Sequence, residues 1–241
     1  MVRTNNEDSV NIFKNDDALL AIVADGMGGH NAGEVASRLV IEHFEKAWKK
    51  FSSNQVTSLS AEEWLEKETR LANELVFHHA SRHAECQGMG TTVVAVICTA
   101  KFVSIAHIGD SRCYLYNRIG FHQMTEDHSY VNYLVKSGGI SREDAEHHPR
   151  KNVLTRVLGT ESSVEVDVKT VMFEQGDKLL ICSDGLYAQV EQAKIERELK
   201  LDKSLEEITN TLIEMAKESG GDDNISVVLL QQSNVREGEK E

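Results

Sequence analysis

Leu19-Leu20-Ala21-Ile22-Val23-Ala24-Asp25-Gly26 is an apolar, strand-like run closed by an acid beside a glycine. The same figure returns at Ile105-Ala106-His107-Ile108-Gly109-Asp110 and at Leu179-Leu180-Ile181-Cys182-Ser183-Asp184-Gly185. It appears reversed at Gly221-Asp222-Asp223-Asn224-Ile225-Ser226-Val227-Val228, where the acids open the run. A buried strand has little use for a carboxylate at its end. Carboxylates gathered within a few ångströms repel one another unless protons or cations intervene. The pattern therefore points to a metal site assembled from the ends of separate strands.

Around these runs the chain reads as one folding unit. Its 241 residues suffice for a substantial core, and its single proline, Pro149, with no Ser/Gly-rich spacer, argues against a linker. β-like segments fall at 10–13, 18–24, 91–99, 102–108, 112–116, 164–172, 178–183 and 225–231. The gaps between 91–99, 102–108 and 112–116 are too short for crossover helices, so these three are expected to pair antiparallel. Apolar residues at helical spacing mark 32–51, 61–84 and 204–218, the last with Ser204 as its N-cap, and a shorter helix is expected over 188–200. Helices before a run of strands, and more between the last strands, suit an α+β layered sandwich better than a doubly wound parallel sheet. Residues 129–158 carry few large apolar side chains and read either as a partly mobile surface insertion near the site or as a plain connector, and the last residues read as a polar tail.

A net charge of −13 disfavours nucleic acid and anionic membrane as partners, since both require a basic footprint. No run approaches the ~18 apolar residues of a membrane helix, so no membrane insertion is expected. Cys86, Cys98, Cys113 and Cys182 form no CxxC pair and read as free thiols. The N-terminus lacks the apolar segment of a signal peptide, and the reading is a cytoplasmic protein.

Asp25-Gly26-Met27-Gly28-Gly29-His30-Asn31-Ala32-Gly33 follows a strand and opens a helix, as a dinucleotide loop would. Its spacing fails, because Asn31 stands where the third glycine belongs, and Asp25 would repel a pyrophosphate. A cation on Asp25, approached also by the Gly26 carbonyl, fits better. All-oxygen donors select Mg²⁺ or Mn²⁺ over zinc or copper, and two such ions lower the pKa of a shared water. Asn224 either orients a carboxylate or caps the turn. Glu7 and Asp8 are either a solvated acid pair or complete the metal shell through waters, with Arg3 then offering its fork to a phosphate. His79 and His83 lack a third ligand and read as a polar helix face, and His128 carries no independent signal.

In order along the chain these motifs resemble the metal-dependent serine/threonine phosphatases of the PPM class, or type 2C, in their compact bacterial form. The matches are Arg3-x-x-x-Glu7-Asp8, Asp25-Gly26-Met27-Gly28-Gly29-His30 with Gly33-Glu34-Val35-Ala36-Ser37, Gly88-Met89-Gly90-Thr91-Thr92, and Gly109-Asp110-Ser111-Arg112. Thr125-Glu126-Asp127-His128-Ser129, Leu154-Thr155-Arg156-Val157-Leu158-Gly159, Ser183-Asp184-Gly185-Leu186 and Asp222-Asp223-Asn224 complete them. The resemblance implies a four-layer α-β-β-α sandwich, with two central, mainly antiparallel sheets flanked by helix pairs. It implies one phosphatase domain over 1–232, a flap at 129–158 and a tail at 233–241.

The resemblance also assigns roles. Asp25 lies between two Mn²⁺ or Mg²⁺ ions, the Gly26 carbonyl on one of them, Asp184 and Asp223 on the other. Asp110 with Asp184 serves a third ion, Arg3 binds phosphate, and Glu7, Asp8 and Asn224 support the ligands. The reaction implied is hydrolysis of phosphoserine and phosphothreonine esters by a metal-bridged hydroxide. The implied partners are phosphorylated proteins, a serine/threonine kinase among them, met by a monomer. Met27 stands where animal members have a histidine, which leaves protonation of the leaving group to a metal-bound water. Only two residues precede Arg3, so a shortened first strand is expected. Two readings stand beside this one: an inactive phosphatase-like binding module, and a two-metal phosphodiesterase.

Overall fold

A computed structural model describes residues 5–29, 32–51 and 56–233. Among these residues ten strands form two antiparallel sheets. In the first, β1 (Asp8–Lys14), β2 (Leu19–Met27), β4 (Val93–Cys98), β5 (Phe102–Ile108) and β8 (Asp167–Met172) lie in that order, and the short β3 (Gly90–Thr91) pairs with the end of β2. In the second the order is β10 (Val227–Gln231), β9 (Lys178–Cys182), β6 (Arg112–Asn117) and β7 (Gly120–Gln123).

The near-continuous apolar runs follow from burial on both faces. In β2, Leu20, Ile22 and Ala24 face one core and Ala21 and Val23 the other. In β9, Leu179 and Ile181 join the core between the sheets, while Leu180 and Cys182 point away from it. Successive side chains on a strand take opposite faces, so a strand covered on both sides loses its polar alternation.

Helices cover the outer faces. α1 (Ala32–Trp48) and α2 (Ser58–Arg82) set Ala36, Val40, Phe44, Leu65, Ala72 and Val76 on the first sheet. α5 (Asp184–Tyr187), α6 (Gln192–Lys200) and α7 (Leu205–Glu218) set Leu186, Ile195, Leu199, Ile208 and Leu212 on the second. The result is the expected four-layer α-β-β-α sandwich. Ser204 caps α7 by accepting the Glu207 amide, while Glu207 reaches back to the Ser204 amide. The four cysteines are free, as expected.

Two expectations need correction. Only the first two of the three closely spaced strands pair. β5 bonds to β4 and β8, whereas β6 bonds to β7 and β9 in the other sheet. Gly109-Asp110-Ser111 is thus a corner between sheets rather than a hairpin turn, made possible by Gly109 at φ 105°. The helix expected over 188–200 is α6 alone and starts late, because 188–191 lie outside both α5 and α6. The insertion at 129–158 holds α3 (Tyr130–Lys136) and α4 (Arg142–Glu146), and neither buries a residue.

Candidate metal centre

The ends of several strands converge at one edge of the sandwich. β1 and β2 place Asp8 directly opposite Asp25. Like charges facing each other across an antiparallel pair cost stability, so this register is costly for a bare sheet. The corner between sheets brings Asp110, the end of β9 brings Asp184, and the approach to β10 brings Asp223.

The electrostatics show that these acids share one space. Burial pushes Asp25 well above the carboxylate range, and the charges of Asp8, Asp184, Asp110 and Asp223 push it further. Asp184 is driven up to about 7 by burial, then by Asp110, Asp223 and Asp8. Asp110 rises to about 6 through burial and the charge of Asp127. Burial also raises Asp8, against hydrogen bonds from Ser183 and Ser226 that pull it down. Asp184 Oδ1 is buried without a hydrogen-bond partner. An orphaned buried carboxylate oxygen among mutually repelling acids fits a hard cation with oxygen ligands.

Close backbone packing holds the edge in place. The Gly26 amide donates to the Glu7 carbonyl at 3.1 Å. A Cβ on Gly26 would overlap the Gly33 carbonyl, and one on Gly185 would overlap the Asn224 carbonyl. Thr92 grips Asp25 from the side: its amide donates to the Asp25 carbonyl at 2.8 Å, and its Oγ1 accepts the Asp25 amide at 3.0 Å. Thr92 Oγ1 also meets Ser111 Oγ at 2.7 Å, linking the Asp25 and Asp110 turns.

Of the supporting residues, Glu7 and Asn224 act through the N-terminal segment. Asn224 Oδ1 accepts the Glu7 amide at 2.8 Å and its Nδ2 donates to the Asn5 carbonyl at 3.1 Å. The Asn224 backbone amide, rather than its side chain, donates to Asp223 Oδ1, at 2.8 Å. Ser183, quoted in the sequence only as part of its motif, has a role that the motif does not disclose: it donates to Asp8 Oδ2 at 2.7 Å and accepts the Ser226 amide at 3.0 Å. No local spacing marks that contact, because Asp8 lies 175 positions away. Tyr187 is a second such residue, its hydroxyl bonded to Asp110 and its ring 3.5 Å from the Arg112 guanidinium. Arg3 lies outside the described residues.

Residues 2–229 match the family model for protein phosphatase 2C. The chain belongs to that family. It is 44% identical over 238 residues to the serine/threonine phosphatase stp of Listeria welshimeri, covering 98% of this chain and 94% of that one. The crystal structure of the serine/threonine phosphatase Stp1 from Staphylococcus aureus superposes with a TM-score of 0.91 at 36% identity, covering 97% and 91% of the two chains. A catalytic domain of the serine/threonine phosphatase PstP, in complex with two manganese ions, gives 0.84 at 33% identity, covering 97% and 94%. The protein is a metal-dependent serine/threonine protein phosphatase, a phosphoric monoester hydrolase.

Proposed function

We propose that the acidic edge is the hydrolytic centre of this phosphatase. Asp25, the Gly26 carbonyl, Asp184 and Asp223 hold two divalent cations, Mn²⁺ or Mg²⁺, and Asp110 with Asp184 holds a third. Bound there, such ions neutralise charge on a phosphoryl group and lower the pKa of a shared water. The observation that carries this reading is the convergence of five aspartates, Asp8 facing Asp25 in register and Asp184 Oδ1 left without a partner.

The chain's own residues orient and exclude. Ser183 and Ser226 hold Asp8, Thr92 holds Asp25, and Tyr187 holds Asp110, so the acids keep their places without rearrangement. Two serine hydroxyls beside the acids are engaged, Ser183 with Asp8 and Ser111 with Thr92. In this reading water is the attacking group and no covalent enzyme intermediate forms. Arg3 orients the phosphoryl group, a role that rests on the motif it shares with Glu7 and Asp8.

The substrates are phosphoserine and phosphothreonine proteins, a serine/threonine kinase among them, met at the flap over 129–158. The phosphatase unit spans 1–232 with 233–241 as a polar tail, and it works as a monomer whose ligands all come from one chain. Free cysteines suit a reducing compartment, which favours the cytoplasm. Among the described residues no helix is long and apolar enough to cross a membrane.

Asp184→Asn tests the assignment. It should abolish Mn²⁺-dependent turnover of a phosphopeptide and lower the number of Mn²⁺ ions bound at equilibrium, with the circular dichroism spectrum unchanged. Retained turnover refutes the metal role of Asp184.

A further inference from the structure

His107, His128 and Asp167 bring their ligand atoms within 4.8 Å of one another, a spacing suited to a transition metal. The hydrogen bonds exclude that use. The Gly109 amide donates to His128 Nδ1 at 3.0 Å, so the neutral ring carries its proton on Nε2, which donates to Asp167 Oδ2 at 3.2 Å. A metal on Nε2 would require the proton on Nδ1, pointing at the Gly109 N–H. Arg156 Nη1 already occupies Asp167 Oδ1 at 2.6 Å, and lies 3.1 Å from His128 Nε2, where the common Asp167 carboxylate offsets the meeting of two donors.

What the cluster holds is the corner that carries Asp110. The His128 amide donates to the Gly109 carbonyl at 2.8 Å while its ring accepts the Gly109 amide, so both polar groups of Gly109 go to one residue. The opposite side of Gly109 is closed, since a Cβ there would stand 2.6 Å from the Thr92 side chain. His107 walls the ring from behind with centroids 4.7 Å apart, itself 2% exposed and with neither ring nitrogen hydrogen-bonded. The His128 carbonyl in turn accepts the Thr155 amide at 2.8 Å, and the next residue, Ser129, bridges to Leu154 at the base of the flap.

We propose that His128 is a positioning residue for Asp110: by holding Gly109 through ring and backbone, it sets where that carboxylate stands. Through Thr155 it ties the base of the flap to the same corner. The inference rests on the reading of Asp110 as a cation ligand.

The experiment follows Mn²⁺ binding by electron paramagnetic resonance in the wild-type protein and in His128→Leu, His128→Asn, His128→Gln and Asp110→Asn. An asparagine amide oxygen stands about where Nδ1 does and can accept the Gly109 amide; the glutamine oxygen stands where Nε2 does and cannot. Leucine and glutamine should weaken the weakest Mn²⁺ class by about 10-fold, leave the tighter classes unchanged, and asparagine should restore most of the loss. Wild-type binding in His128→Gln, or asparagine no better than glutamine, overturns the proposal, and this pair decides even if the leucine variant does not fold. If Asp110→Asn loses no Mn²⁺ class, it is the reading of Asp110 that fails. The ring ¹⁵N shifts of His128 in metal-free protein check the hydrogen bond separately: the Nε2–H tautomer is expected, and the Nδ1–H tautomer refutes it.

Discussion

The acidic edge and the flap are held on opposite terms. Asp25 lies near the end of a strand bonded on both sides, and the residues before it, Leu20 to Ala24, have no exposed surface. The flap helices bury nothing, and the segment is fastened at its base by the Ser129–Leu154 bridge and by the Tyr130 amide on the Val153 carbonyl at 2.8 Å. The edge concentrates repulsion that only a rigid frame can hold, whereas the flap concentrates none. A centre that must place charge needs rigidity, and a surface that must meet varied protein substrates does not.

The largest effect should come from removing the edge's central acid. Asp25→Asn is expected to lower phosphopeptide turnover at saturating Mn²⁺ by at least about 100-fold, the scale of losing one preorganised electrostatic contact. It should also raise the melting temperature of the metal-free protein, because it relieves repulsion from Asp8, Asp184, Asp110 and Asp223. A lower melting temperature would show that the edge is not strained, and the contrast with the flap would collapse.

The pH dependence of that strain can be read at Asp184. Its folded pKa, about 7, stands above the ordinary 3.8, so the folded protein binds this proton more tightly. The associated stability is fully present below about pH 4 and is lost as pH rises through 7. Histidines depressed by burial, His107 among them, act in the opposite sense, so the informative quantity is a difference. In EDTA, Asp184→Asn and wild type should be nearly equal in stability below about pH 4. They should diverge toward pH 8, the variant becoming more stable by a few kcal/mol. Mn²⁺ should reverse the order. Parallel stability curves would remove Asp184 from the charged cluster.

Backbone closeness at the edge gives a smaller effect. Gly185→Ala sets a methyl against the Asn224 carbonyl and must shift the segments carrying Asp184 and Asp223. A urea midpoint lowered by about 1–3 kcal/mol equivalent is expected, with Mn²⁺ affinity falling alongside. Unchanged affinity at lowered stability would mean that the two ligands do not depend on this contact.

How far the sequence disclosed this arrangement depends on how local each feature is. An apolar run ended by an aspartate beside a glycine is a local signal, so β2, β5 and β9 and their acids were legible, as were α1, α2 and α7 from their spacing. The change of sheet at Gly109 was not, because a three-residue gap reads alike as hairpin or corner until the partners of β6 are known. Asp8 was read as a support at a distance, yet pairing sets it opposite Asp25. Ser183, Tyr187 and His128 act through partners far along the chain or through backbone groups, which leave no periodic trace. His128 carried no independent signal beyond its motif, although it holds both polar groups of Gly109.

The flap supplies the smallest effect and the sharpest form of the contrast. Tyr133 sits on α3 with 64% of its surface exposed, and burial cannot account for an aromatic side chain there. Tyr133→Ala should change unfolding free energy by no more than about 0.5 kcal/mol and leave hydrolysis of a small aryl phosphate untouched. With a phosphoprotein substrate kcat/KM should fall by a few-fold, because an exposed tyrosine offers contact area to a protein surface at little entropic cost. An equal loss on both substrates would mean that the flap shapes the chemistry as well as the encounter. In that case the His128–Thr155 bond, which runs from the flap base to the corner holding Asp110, is the route by which it would do so.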